Sequence, residues 1–268
     1  MKCYVCSSET RPFFTENFEG LYRLKFVEYW KCLNCGFVLS KTHRDMSQGQ
    51  WEELNEAVHS SFQGTDSAKD DPKWLSRLTK QANVIGRLTE LRVIPVDAPW
   101  VDYACGDGQL ACMLKDKFAI EVDKYDRYMS SCDSGYITYS QMIAKEYGNL
   151  INTSAMEHFL SIDPVKEMMN ILSDSGVFMV HTLVRENIPC DLQWFYLLPV
   201  HVALHTNRSM AILFERYGFE ASVYHPESTM WFWFRNSTDF VEKVIRVQNE
   251  LIPGQFFFRN GFMDYWKQ

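Results

Sequence analysis

The stretch VDYACGDGQL, Val101 to Leu110, decides how the rest of the chain is read. A short apolar run passes through a turn holding Gly106 and Gly108 and enters a helix-like run, the pattern of a strand, a tight turn and a helix. Glycine at 106 and 108 admits backbone angles closed to other residues and lets a ligand approach the main chain. Ala104 stands where a fully glycine-rich turn would open, and a small side chain is expected to suffice there. A dinucleotide fingerprint would continue G-x-G-x-x-G, seating a pyrophosphate on the helix N-terminus. GDGQLA lacks the last glycine, and Asp107 adds negative charge beside any phosphate. The turn therefore disfavours a pyrophosphate.

Working outward, strand-like and helix-like runs alternate. WVDYA, AIEVDKY, GYITY, GNLINTS and GVFMVHTLV read as strands, and LACMLKDKF, SQMIAKEY, PVKEMMNIL and NRSMAILFERY as helices. Asp163 and Pro164 supply an N-cap and first-turn proline for a helix stopping near Gly176. Thr206 and Gly218 bracket another helix, and FEASVYHPESTMWFWF reads as a hairpin turning at Pro226 to Ser228. Such alternation predicts an α/β fold with a parallel sheet, made partly antiparallel by the hairpin.

Over residues 95 to 236 this order, with Asp102, Ala104, Gly106 and Gly108 in the pattern D-x-G-x-G-x-G, resembles the class I S-adenosylmethionine-dependent methyltransferases. The resemblance implies a Rossmann-like seven-stranded methyltransferase sheet with an antiparallel closing hairpin. It also implies S-adenosylmethionine as cofactor, held by Asp102, Ala104, Gly106, Gly108, Asp126 and Ser154. Asp126 would receive the ribose hydroxyls, with Asp123 as its rival. NTSAMEHF is similar to the family segment that ends in Glu-His before a helix. Ser154 to His158 would face the methyl-transfer pocket, with Glu157 holding His158 in one tautomer as a base. The competing reading has Glu157 capping a helix and His158 packed on the sheet. His181, at a strand end, and His201 and His205, in LLPVHVALHTNRS, are further candidates. A metal on the His201/His205 pair would need a third ligand that the local sequence does not supply.

Upstream, Cys3-x2-Cys6 and Cys32-x2-Cys35 are separated by 25 residues. Two such knuckles point four thiolates at one ion, and Gly36 eases the second turn. This predicts a small structural zinc ribbon, with all four positions filled by sulfur and none left for catalysis. Cys105, Cys112, Cys132 and Cys190 are scattered. LYRLKFVEYWKC between the knuckles reads as strand. Trp51, Leu54 and Val58, and then Trp74 to Leu91, keep helical spacing on either side of the turn-rich SSFQGTDSAKDDP. The expected organisation is a zinc ribbon over 1–45, a helical bridge over 46–95, a methyltransferase core over 96–236, and a C-terminal helix with an aromatic tail over 237–268. That tail, LIPGQFFFRNGFMDYWKQ, is expected to cover the core, the alternatives being a pocket wall or a homodimer face.

A net charge of −7 disfavours nucleic acid and points to a small-molecule partner. Resemblance to saccharide-associated methyltransferases bearing a four-cysteine module implies methyl transfer to a sugar or nucleotide-sugar, O-methylation ahead of C-methylation. The alternatives are a ribosomal RNA methyltransferase with an N-terminal zinc module and a non-catalytic zinc-ribbon scaffold. MKCYVC lacks a signal-like apolar run and no segment has the length of a membrane span, so a cytoplasmic location is expected.

Overall fold

The computed structural model describes residues 1–20, 22, 24–62, 72–129, 135–236 and 239–267. Cys132, Leu21 and most of SSFQGTDSAKDDP lie outside the described residues. Two compact units are each discontinuous in sequence. The first comprises Met1–Thr65, Ser154–Pro164 and Thr182–Leu213, and the second Asp66–Thr153, Val165–His181 and Phe214–Gln268.

The first unit is built on β1 (Thr10–Asn17), β2 (Phe26–Cys32) and β3 (Val38–Ser40), an antiparallel meander. α1 (Lys41–Arg44) and α2 (Gln48–Phe62) follow, and Trp51, Leu54 and Val58 of α2 are buried as their spacing predicts. A segment from far downstream completes the sheet. β8 (Val184–Arg185) pairs parallel with β9 (Ala203–Thr206), which pairs antiparallel with β3, so the order is β1-β2-β3-β9-β8. Ala203–Thr206 thus forms a buried strand, so the spacing of His201 and His205 does not put them on one helix.

The second unit begins with α3 (Pro72–Glu90), whose buried stripe Leu78, Ala82, Ile85 and Leu88 reflects its 3.6-residue periodicity. β4 (Trp100–Tyr103), α4 (Gln109–Phe118), β5 (Asp123–Tyr125), α5 (Tyr139–Ile143), β6 (Tyr147–Thr153), α6 (Asp163–Ile171) and β7 (Leu172–His181) follow. α7 (Asn207–Arg216) carries the chain from the first unit into the second. Thr206 Oγ1 accepts from Ser209 N at 3.1 Å and caps it as expected. β10 (Ala221–His225) and β11 (Met230–Phe234) form the expected hairpin, paired from Ala221↔Phe234 to His225↔Met230. α8 (Asp239–Leu251) and β12 (Phe257–Asn260) end the unit.

The resulting sheet has seven strands in the order β12-β10-β11-β7-β6-β4-β5. β5, β4, β6 and β7 are parallel, and β11, β10 and β12 alternate in direction. The expected α/β fold with an antiparallel hairpin is present, but its seventh strand is β12 from the aromatic tail. GYITY is not a strand. Tyr136 makes an isolated bridge to Lys124, and then Thr138 and Gln141 form a capping box that starts α5. α6 ends at Ile171, earlier than Gly176, because Arg235 donates to the carbonyls of Met169, Leu172 and Ser173 and satisfies the helix end. Tail residues Phe256, Phe262 and Met263 are buried, and Trp231 Nε1 donates to the Met263 carbonyl at 2.9 Å. No helix among the described residues is long and apolar enough to cross a membrane.

Gly86 lies where α3 meets α4. A Cβ built there would overlap ring carbons of Phe118. Gly86→Ala is expected to destabilise the protein by about 1–3 kcal/mol despite its better helix propensity, the usual cost of overpacking. A shift of the urea midpoint to lower concentration checks this.

Candidate functional site

Three groups of side chains are candidates for a functional site. The first lies at the carboxyl end of β4, an inner parallel strand, at the side of the sheet where open α/β folds place ligands. Here Ala104 (φ 60°), Gly106 (57°) and Gly108 (73°) all adopt the left-handed conformation. The Asp126 carboxylate fixes the turn: Oδ2 accepts from Gly106 N at 2.9 Å, and Oδ1 accepts from Tyr128 N at 2.8 Å and Met129 N at 3.0 Å. Tyr136, which sequence reasoning placed in a strand, donates its hydroxyl to the Gly106 carbonyl at 2.7 Å. Gly108 is sterically required, since a Cβ would come 2.5 Å from Lys124 Cδ.

Asp102, 2% exposed, lies beneath this turn, and its Oδ1 has neither solvent nor a hydrogen-bond partner. Burial pushes its pKa up to about 8, and the charges of Asp126 and Asp107 push the same way. The Asp126 and Asp107 carboxylates and the proton-retaining Asp102 carboxyl thus converge on a turn of open backbone, an arrangement that repels phosphate and suits a cationic or hydroxyl-rich ligand. Asp123 is differently engaged, accepting from Lys145 Nζ at 2.7 Å and Tyr147 Oη at 3.0 Å. Of the two rivals for a ribose, Asp126 is the one on the turn.

The second group lies in the first unit, on the segment that continues from β6. Ser154 has a left-handed φ of 55°, and a single 3₁₀ turn, Met156–His158, follows. Glu157 is buried, and its Oε2 accepts from Thr182 Oγ1 at 2.9 Å. His158 is partly exposed as a residue, yet its Nδ1 has neither solvent nor a partner. Glu157 therefore does not hold His158 through that nitrogen. The His201 ring lies 5.0 Å from that of His158, and its Nδ1 bonds the Tyr196 carbonyl at 2.8 Å. Burial pushes the His158 imidazole down to about 3, with His201 adding to the effect and Glu157 opposing it. His201 is lowered by burial as well. Both rings are neutral at physiological pH.

The remaining histidines separate from this group. His205, against Phe37, is pushed down to about 4 by burial, and its Nδ1 meets Ser209 Oγ at 3.3 Å. His181, in the second unit, places Nδ1 at 2.9 Å from the Thr229 carbonyl. Tyr196, Thr182 and His59, whose ring is 5.2 Å from that of His158, were not singled out by sequence. For Tyr196 and Thr182 the only signal was position in the segment after a core strand, and His59 lies within α2, where nothing local marks it.

The third group is the four cysteines. Sγ separations of 3.8 Å (Cys3–Cys35), 3.3 Å (Cys6–Cys32) and 3.6 Å (Cys6–Cys35) lie at or just below the ~3.8 Å edge of a tetrahedron with metal–sulfur bonds of about 2.3 Å. Gly36, at φ 72°, follows the second pair as the knuckle requires. These four side chains could hold a metal ion.

No protein-family model matches the sequence, and no curated protein matches it. Similar solved structures include an O-methyltransferase family protein from Burkholderia thailandensis, at 13% identity over 74% of this chain and 71% of that one, TM-score 0.41. DesVI of Streptomyces venezuelae is similar at 13% identity over 64% and 99%, TM-score 0.45. The plantazolicin methyltransferase BpumL in complex with SAH is similar at 12% over 78% and 95%, TM-score 0.45.

Two predictions follow from the turn. A left-handed alanine costs roughly 1 kcal/mol relative to glycine, so Ala104→Gly is expected to be neutral or up to about 1 kcal/mol stabilising in denaturant titration. The folded Asp102 carboxyl titrates near about 8 against 3.8 as its ordinary value, so the native state retains a proton that the unfolded chain releases. Its contribution therefore falls as pH rises between those values. Asp102→Asn should become progressively more stable than the parent across this window, by roughly 3–5 kcal/mol at its upper end, as read from urea midpoints at successive pH values.

Proposed function

We propose that the protein transfers a methyl group from S-adenosylmethionine to a small, saccharide-type acceptor, with a hydroxyl oxygen favoured over carbon. The observation that carries this reading is the acid-lined turn of Ala104, Gly106 and Gly108, with the unpartnered Oδ1 of Asp102 beneath it. A sulfonium nucleoside with an ammonium group and no phosphate matches that electrostatic character. When bound, the cofactor supplies an electrophilic methyl carbon. The exposed backbone of the turn would take the nucleoside, Asp126 the ribose hydroxyls and Asp102 the polar end, with Ser154 following at the end of β6.

Glu157, His158 and His201 would handle the acceptor. Orienting a hydroxyl and managing its proton is the chain's share of the chemistry, and no covalent enzyme intermediate is needed. Neutral His158, with Nδ1 uncommitted, would accept a hydrogen bond from the hydroxyl. His181 and His205, held by Thr229 and Ser209, are secondary candidates. The four cysteines would hold structural zinc. The negative net charge supports a small acceptor over RNA, and a cytoplasmic enzyme fits the cysteine usage. The tail residues buried over β10 and β11 favour a core-covering role over a homodimer face.

Calorimetry with S-adenosylhomocysteine tests the reading directly, with one saturable site expected. Absence of heat at high protein concentration would instead support a non-catalytic scaffold. His158→Ala is expected to lower turnover at least tenfold while leaving that affinity within about twofold, because loss of a proton-handling group typically costs 10²–10⁴. Unchanged turnover would remove His158 from the chemistry.

A further inference from the structure

We infer that Glu157, His158 and His201 form a second metal site, for a divalent first-row transition cation, distinct from the four-cysteine cluster. One ligand atom from each residue lies within 4.8 Å of the other two. Bonds of about 2.1 Å to a common ion require donor separations of roughly 3–4 Å, so small side-chain movements close the site.

The surrounding bonds already select the ligating atoms. Because a carbonyl only accepts, the Tyr196 contact requires that His201 Nδ1 carry the hydrogen, which leaves the lone pair on Nε2. His158 Nδ1 is buried with no hydrogen-bond partner and so is open to a ligand. Thr182 Oγ1 donates to Glu157 Oε2 and orients the carboxylate. A carbonyl behind the His201 imidazole and a hydroxyl behind the carboxylate are outer supports of the kind metal ligands characteristically have. An orphaned, solvent-free ring nitrogen beside a buried carboxylate is otherwise costly, and a cation on all three donors removes both penalties.

Two imidazoles and a carboxylate suit zinc, ferrous or cobaltous ions better than calcium or magnesium, which prefer oxygen alone. Three protein ligands leave a coordination position open, as in sites that bind substrate or water and unlike the closed four-thiolate cluster. Under the methyl-transfer reading, on which this role rests, the ion takes over the His158 Nδ1 lone pair, so the acceptor hydroxyl oxygen binds at the open position in place of its hydrogen bond to that nitrogen. Its proton passes to water, its oxygen forms the bond to the methyl carbon, and the carbon–sulfur bond breaks with its electron pair on sulfur.

Metal loading of the full chain tests the site. Zinc-saturated, desalted protein is expected to hold about two ions per chain, falling to about one in Glu157→Gln and in His201→Ala, with the four-thiolate ion retained. Cobalt titration of the unaltered protein gives a readout independent of any variant. The first equivalent should develop intense thiolate charge-transfer absorption, and a second should add weak ligand-field absorption without more of it. One ion per chain, or a second ion undisturbed by both substitutions, overturns the inference. S-adenosylhomocysteine binding, measured on the same loaded protein, separates the readings. Normal heat with one ion removes this site alone, whereas two ions without heat leave the metal site standing and remove the methyl-transfer reading.

Discussion

The Asp126 carboxylate, accepting from the main chain of Gly106, Tyr128 and Met129, is the interaction on which the candidate cofactor site depends. It joins the end of β5 to the turn after β4 and holds three left-handed residues in register. One of the three, Ala104, is strained there. Such strain persists only when neighbouring bonds over-determine the conformation. Asp126 supplies them from one side, and the Tyr136 hydroxyl on the Gly106 carbonyl from the other. Burial raises the pKa of Asp102 and the same carboxylate adds to that shift, so the group that shapes the turn also bears on its charge.

Features governed by residues close in sequence were legible in advance. The two CxxC knuckles converge because each is a local turn, and the parallel strands β4, β5, β6 and β7 follow from runs whose periodicity is self-contained. The turn's glycines were readable for the same reason, although Ala104 owes its place to a tolerated left-handed angle as well as to small size. GYITY was misread because β propensity lost to a Thr138–Gln141 capping box whose signal was also local. β9 and β12 had a different cause. Each is a short strand whose identity comes from partners far away in sequence, β3 and β10, and whose residues carry little periodicity alone.

The Glu157 group shows the limit of spacing arguments most clearly. His201 and His205 were paired because they stand four positions apart, but the extended course of β9 parts them. His201 meets His158 and Glu157, more than forty residues upstream, while His205 packs on Phe37. A third ligand sought nearby was absent because chain topology supplies it. Glu157 opposes the burial-driven lowering of His158, His201 and His205 alike, so one buried carboxylate sets the field for three imidazoles.

The four-cysteine cluster and that field belong to one unit and are mechanically linked. Thr206 donates its hydroxyl to the Cys35 carbonyl at 2.5 Å, and its methyl lies 3.3 Å from where a Gly36 Cβ would sit. Thr206 also ends β9, which pairs with β3 immediately after the second knuckle, and Tyr29 of β2 donates to the His201 carbonyl at 3.1 Å. An ion on the cysteines would therefore stiffen β2, β3 and β9 together, and with them the backbone at His201. In a sheet of short strands, where β3 has three residues and β9 four, such a staple matters more than in a large core. The cluster would act on the acceptor residues by holding their scaffold still, although four thiolates leave it no open position for chemistry of its own.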